Sequence, residues 1–258
     1  MIDLRPYIAK GFPGNLDAAI ANVGVRGLDR EQAHAMVRLC LATETELYGE
    51  TYSSRAIHYH KGSRPTLESV VASLSGNSPR ERAMNAMHWV NKTVIHPHLI
   101  GPTAVDRALS EEALIQSGRG WCNEQARVFI ALCQVMEIPA RLCFVNHKNT
   151  RCGHTATEVF LDGHWAFFDP TFNLIVEMPD GRLAEARELS GQFRDLAHNA
   201  YRPALESYFS HAQPYVDELP SWGRADRPEI ERGGDLLDTI GICNYLIEGV
   251  QAVDKKKD

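Results

Sequence analysis

The sequence predicts an α+β protein in which one helix packs on an antiparallel sheet. Three observations carry that expectation. Apolar residues at helical spacing (Ala126, Phe129, Ile130, Cys133 and Met136) follow directly on the Gly-rich stretch "QSGRGWCN" at 116–123. Two β-rich runs flank Asp162-Gly163 within "HTATEVFLDGHWAFFDPT" (154–171), and Asp-Gly in that setting is a strong hairpin signal. The chain has 258 residues and 44% hydrophobic content, enough for one large domain or a domain with an added segment.

The elements follow in chain order. "LDREQAHAMVRLCLATETELY" (28–48) reads as a helix capped by Asp29, with Gln32 completing a capping box. "SRAIHYHKG" (54–62) alternates like a strand and would put His58 and His60 on one face, either as metal ligands or, more commonly, facing solvent. "NSPRERAMNAMHWVNKTVI" (77–95) carries a helix start: Ser78 caps, Pro79 takes the first helical position and Glu81 closes a capping box. "HPHLIGP" (96–102) then breaks the chain, which makes His96 and His98 loop residues. Ser110 caps a short helix over 110–116. The helix after the Gly-rich turn ends before Pro139, "ARLCFVNH" (140–147) is a strand, and the hairpin follows.

Past Pro179 the pattern turns helical. Residues 181–212 read as one or two helices broken near Pro203, 213–235 as a Pro/Gly-rich connector, and 236–253 as a last amphipathic helix with Leu236, Ile240, Cys243, Ile247 and Val250 on its apolar side. The expected organisation is a mainly helical N-terminal segment (1–76) packed on a core (77–179), then a helical C-terminal segment (180–258) that is an appendage or a cover for the site.

Composition narrows the function classes. Net charge is −6 and the one basic run is the tail "KKKD", so no nucleic-acid partner is expected. The first residues contain no apolar signal-peptide region, and no stretch of 18 apolar residues exists, so neither secretion nor membrane insertion is expected. The six cysteines (Cys40, Cys122, Cys133, Cys143, Cys152 and Cys243) contain no C-x-x-C pair, which suits free thiols in the cytoplasm.

Cys122 stands where a Gly-rich turn meets a helix. Gly118 and Gly120 permit a tight turn, and a thiol at a helix start sits by the positive end of the macrodipole, which favours thiolate. The same backbone N–H groups can hold an oxyanion. Downstream, a two-residue turn at Asp162-Gly163 pairs Leu161 with His164 and puts His154, Ala156, Asp169 and Thr171 on one sheet face. His154 and Asp169 then become diagonal neighbours within hydrogen-bond reach. A histidine oriented by a carboxylate is the expected base for a cysteine nucleophile. Two other readings use the same residues: a zinc site of Cys122, Cys152, His154 and Asp169, and a non-catalytic interaction module.

"GRGWCNEQARVFIALCQVMEIPARL" and "GHTATEVFLDGHWAFFDPTF" resemble the transglutaminase-like core family of papain-like cysteine enzymes. The resemblance covers about 120–173 and implies a papain-like α+β fold. It implies that Cys122 is the nucleophile, His154 the base and Asp169 its orienting acid, with Glu158 and Trp165 as their usual companions; Glu158, on the His154 face, either tunes the site or makes a structural salt bridge. "EIPAR" (137–141) departs from the family pattern by Glu137 in place of glycine, and Ala156 stands where an aromatic is frequent. Gln116, six residues before Cys122, matches the oxyanion-hole glutamine of papain-like proteases; Trp121 is the other candidate there. The implied chemistry is acyl transfer through a thioester on a peptide, protein or small amide substrate. Water or an amine resolves the acyl-enzyme, with no metal and no organic cofactor.

Overall fold

A computed structural model of the chain describes residues 57, 59–100, 109–146, 153–190, 192–212 and 239–243. The expected helix over 28–48, the connector over 213–235, most of 236–253, and the side chains of Cys40, His58, Cys152 and Cys243 lie outside that description. Residues 57 and 59–62 form no strand; Lys61 and Gly62 make a turn, and His60 is exposed.

Helix α1 (Pro65–Ser73) and helix α2 (Pro79–Thr93) both open on proline, whose missing N–H costs nothing at a helix start. Ser78 caps α2 by accepting from the Glu81 N–H, while Glu81 reaches back to the Asn77 N–H at 2.7 Å, one residue earlier than in a regular capping box. The turn α3 (Pro97–Ile100) follows, then α4 (Glu111–Ser117), capped by Ser110 and ended by Gly118 at φ 68. Helix α5 (Cys122–Val135) comes next.

The end of α5 shows why glycine would suit position 137. The Ile138 N–H donates to the Cys133 carbonyl at 2.8 Å and the Glu137 N–H to the Gln134 carbonyl at 2.9 Å, a Schellman pair that needs a left-handed residue between helix and strand. Glu137 fills that position at φ 62, where glycine would be unstrained.

The sheet runs β4-β3-β2-β1-β5, with β1 (Ala140–Asn146), β2 (Gly153–Leu161), β3 (His164–Asp169), β4 (Leu174–Ile175) and β5 (Thr239–Cys243), every neighbour antiparallel. The hairpin register is the expected one: Leu161 pairs with His164 and Thr157 with Phe168. Asp162 at φ 51 and Gly163 at φ 87 make the double left-handed turn that matches the strand twist. Strand β5 corrects the sequence reading, because residues 239–243 are not helical. Thr239, Ile240 and Ile242 are β-branched, and the edge of β1 offers a full ladder that overrides the helical spacing.

Two helices lie between β4 and β5 in sequence, α6 (Ala186–Ser190) and α7 (Arg194–Ala212). Helix α7 runs through Pro203 without the expected break. Asn199, whose carbonyl loses its helical donor there, is exposed and open to hydration. Among the described residues, no helix is long and apolar enough to cross a membrane.

The sheet has a core on each face. Val159, Leu161, Ala166 and Phe168 pack with Ala126, Phe129, Ile130 and Cys133 of α5 and with residues of α1, α2 and α4. Cys143, Ala156 and Phe167 pack on the other face with Ala186 and Leu189 of α6 and Ala197, Tyr201, Leu205 and Tyr208 of α7. The C-terminal helices are therefore a second layer of the domain.

Candidate active site

The junction before α5 is built on two glycines with separate jobs. Gly118 takes the left-handed angle that ends α4. A Cβ on Gly120 would lie 2.7 Å from Glu124 Cβ and 3.0 Å from Val94 Cγ1, so only glycine fits. The Gly120 N–H donates to the Ile95 carbonyl at 3.1 Å, and the Ile95 N–H to the Gly118 carbonyl at 3.0 Å. This short ladder pins the turn to the end of α2 and sets where α5 begins. Trp121 is the N-cap residue, its N–H held by Glu124 Oε2 at 3.2 Å, and Cys122 opens the helix as a half-buried thiol.

Gln125, one turn on, is a buried tie. Its Nε2 donates to the Val94 carbonyl at 2.7 Å and its Oε1 accepts from Thr171 Oγ1 at 2.8 Å. From α2, Asn91 Nδ2 donates to the carbonyls of Pro170 and Thr171 at 3.0 and 2.8 Å. Two amides thus stitch α2 and α5 to the end of β3, where Asp169 lies.

His154 Nε2 and Asp169 Oδ2 are 2.7 Å apart, as the hairpin register requires. Asp169 is fully buried and His154 is 8% exposed. Asp169 Oδ1 accepts the N–H groups of Thr171 and Phe172 at 3.0 and 3.2 Å, which closes an Asx turn over Pro170. Its Oδ2 also accepts the Tyr201 hydroxyl at 2.6 Å. His154 is hydrogen-bonded to Cys122 as well; with Nε2 committed to Asp169, Nδ1 is the nitrogen left to face the sulfur. Burial pushes His154 down, but the Asp169 charge and hydrogen bond, with the bond to Cys122, overcome it and hold the imidazole up to about 10. The other two described thiols differ. Cys133 and Cys143 are fully buried, and burial pushes both well above the ordinary thiol range.

The remaining sequence candidates fall in different places. Gln116 is exposed on α4. Trp121 stands beside Cys122 with its ring edge-on to His96 and His98, centroids 5.0 and 4.9 Å away. Glu158 is a structural clamp. Its Oε2 accepts Arg141 Nε and Nη2 at 2.9 and 2.7 Å, and its Oε1 accepts the Ala186 N–H at 3.1 Å. The Arg141 guanidinium lies 3.9 Å over the Trp165 ring, so Trp165 joins that clamp. Among the described residues, no group of three or more His, Cys, Asp or Glu side chains is placed to hold a metal ion.

His96 lies in the loop between α2 and α3, as expected, while His98 falls in α3, and both are buried, 5% exposed each. The His98 N–H points at His96 Nδ1 at 3.3 Å, so that nitrogen is an acceptor and the Tyr208 hydroxyl, 2.6 Å away, donates to it. Burial pushes His98 down to about 4, leaving it neutral near pH 7. Tyr208 is pushed well up, by burial first and then by the Cys122 charge. Phe172 links the two groups of rings, with centroids 5.1 Å from His154 and 5.3 Å from Tyr208. The "HPH" spacing did not foretell this, because the partners Trp121 and Tyr208 are distant in sequence.

Residues 68–170 match the model of the transglutaminase-like superfamily, about two fifths of the chain. A solved structure of a candidate cysteine protease from Cytophaga hutchinsonii is similar at 19% identity and TM-score 0.35, over 52% of this chain and 39% of that one. This chain thus spans well under two thirds of that relative, and a likeness at that level carries no argument about activity. No curated protein sequence matches significantly. The segment similar to the transglutaminase-like superfamily holds Cys122, His154 and Asp169 and lies in an α+β architecture.

Proposed function

We propose that this protein is a cysteine-dependent acyl-transfer enzyme that works through a thioester on Cys122. The supporting observation is the hydrogen-bonded line from Cys122 through His154 to Asp169 at the first turn of α5. A histidine held up to about 10 is an imidazolium near pH 7, the partner that a thiolate needs. The thiolate attacks the carbonyl carbon of an amide. The developing oxyanion lies at the N-terminus of α5, where the Cys122 backbone N–H and the helix dipole favour negative charge. The C–N bond breaks as His154 gives its proton to the leaving amine. Water or a second amine, deprotonated by neutral His154, then attacks the thioester and releases Cys122.

The substrate class is a peptide, protein or small amide, and the chemistry asks for no metal or organic cofactor. Hydrolysis and transfer to an amine differ in how well the closed site excludes water. The test is intact mass of the protein after incubation with glutaminyl and peptidyl substrates, with and without added amine. The reading expects an acyl adduct on Cys122 that an amine discharges and that Cys122→Ala abolishes. No adduct on any substrate, with Cys122 alkylating no faster than Cys133, sinks it. Stoichiometric zinc in the purified protein would favour a metal site instead.

A further inference from the structure

Helix α7 lies wholly beyond the matched segment 68–170, yet it contributes a hydrogen bond to the candidate acid. Tyr201 is fully buried, between Phe167 and Phe172, with centroids 6.4 and 5.7 Å away. Phenylalanine would satisfy that apolar setting. The hydroxyl is the feature that packing leaves unexplained, and it sits 2.6 Å from Asp169 Oδ2, the oxygen that also faces His154 Nε2. Thr171 and Phe172 N–H groups hold the other oxygen, so the carboxylate keeps its orientation without Tyr201. What the hydroxyl changes is the share of charge left on Oδ2 for the histidine.

We propose that Tyr201 is a positioning residue of the site, whose hydroxyl shares Asp169 Oδ2 with His154 and thereby sets how strongly the carboxylate holds the imidazolium. This rests on the acyl-transfer reading of Cys122, His154 and Asp169. Donation from Tyr201 draws charge from Oδ2, so the thiolate–imidazolium pair forms at a higher pH than it would beside an undivided carboxylate. The groups facing the pair come from four elements. Cys122 of α5 and Asp169 of β3 bond His154, while Asp169 feels Tyr201 of α7 and the Cys143 thiol of β1. Tyr208, also on α7, feels Cys122. Burial pushes Tyr201 well above the ordinary tyrosine range before the Asp169 charge adds to it, so it stays a donor throughout the range that matters.

The experiment reads the rate of Cys122 carboxamidomethylation against pH by peptide mapping in the full chain. The variants are Tyr201→Phe, 3-fluorotyrosine at 201, and Leu205→Ala as a control that loosens the same core without touching Asp169. Tyr201→Phe is expected to move the acid limb of the profile down by roughly half a pH unit or more. Fluorotyrosine is a stronger donor of almost the same shape. It is expected to move the limb up, and it serves where Tyr201→Phe fails to fold. Leu205→Ala is expected to lower the melting temperature and leave the limb in place. Limbs that coincide with wild type in both position-201 variants overturn the proposal and leave Tyr201 a packing residue. If wild-type Cys122 reacts no faster than Cys133, the acyl-transfer reading fails first, and the proposal with it.

Discussion

Replacing Asp169 by asparagine exchanges a group that only accepts for one that accepts at one end and donates at the other. Asp169 receives four hydrogen bonds, two backbone N–H groups on Oδ1 and His154 and Tyr201 on Oδ2. The amide oxygen keeps the two backbone donors and so lands in place of Oδ1. The amide nitrogen then faces His154 Nε2 and becomes the donor. That fixes the neutral tautomer with its proton on Nδ1, toward Cys122, and removes the base. Two charge-assisted bonds are lost and weaker ones replace them, so stability should fall by about 2–4 kcal/mol near pH 7. Turnover should fall by roughly 10⁴, the value seen for the equivalent change in a serine triad.

The pH dependence separates orientation from packing. His154 is raised from 6.5 to about 10 in the folded protein, so its charged form adds stability that is fully present below pH 6.5. That contribution is lost as pH rises through about 10, because the folded state holds the proton that the unfolded state has released. The assay is urea unfolding of Cys122→Ala with and without Asp169→Asn, from pH 6 to 10, which removes the thiol's own titration. The carboxylate protein should lose stability across that range and the amide protein should not. Equal slopes in the two, with unchanged Cys122 alkylation in the Asp169→Asn single variant, would refute the assignment of Asp169 as the orienting acid.

Other substitutions test the frame around the site. Glu137→Gly should relieve the left-handed residue at φ 62 and stabilise the protein by roughly 0.5–1 kcal/mol, read as a melting-temperature rise of a few degrees. A fall would mean that the Glu137 side chain, which is exposed, contributes more than the backbone angle costs. Gly120→Ala should force apart Glu124 and Val94, and its alkylation of Cys122 should slow together with a lowered urea midpoint. Unchanged alkylation would show that the turn does not place the thiol. Gln125→Leu leaves the Val94 carbonyl and the Thr171 hydroxyl without their amide partner, about 1–3 kcal/mol in unfolding free energy. Thermal unfolding at wild-type temperature would contradict it.

What the sequence made legible is local or periodic. Ser78, Pro79 and Ser110 mark helix starts by short-range chemistry, and each acts where expected. Asp162-Gly163 sets a two-residue turn, and period-two alternation from that turn is enough to bring His154 and Asp169 together. The misses share a cause. Residues 239–243 have apolar spacing that suits a helix, and only the open edge of β1, a contact made across nearly 100 residues, turns them into a strand. Pro203 breaks a helix where its freed carbonyl is buried, and burial is not written in the residues beside it. Tyr201, His96 and His98 enter the site through packing between distant elements. Glu158 makes the salt bridge that was one of its two expected roles, with Arg141, whose guanidinium also lies over Trp165.

The sheet itself stands between most of α5 and His154. Along β2, Val159 and Leu161 face α5, so the alternate residues His154, Ala156 and Glu158 face α6 and α7. A cysteine in the middle of α5 could not reach His154 through that wall. Cys122 reaches it because it is the first residue of the helix, at the end of the sheet, where the Asx turn at Asp169 and the amides of Asn91 and Gln125 close the gap. The site is thus assembled from both cores at their shared edge. The first core places the Cys122 thiol, and the second adds the Tyr201 hydroxyl to Asp169 Oδ2. Removing the Tyr201 hydroxyl should therefore reach Asp169 from the second core, whereas loosening that core alone, as in Leu205→Ala, should cost stability and leave the Cys122 profile where it is.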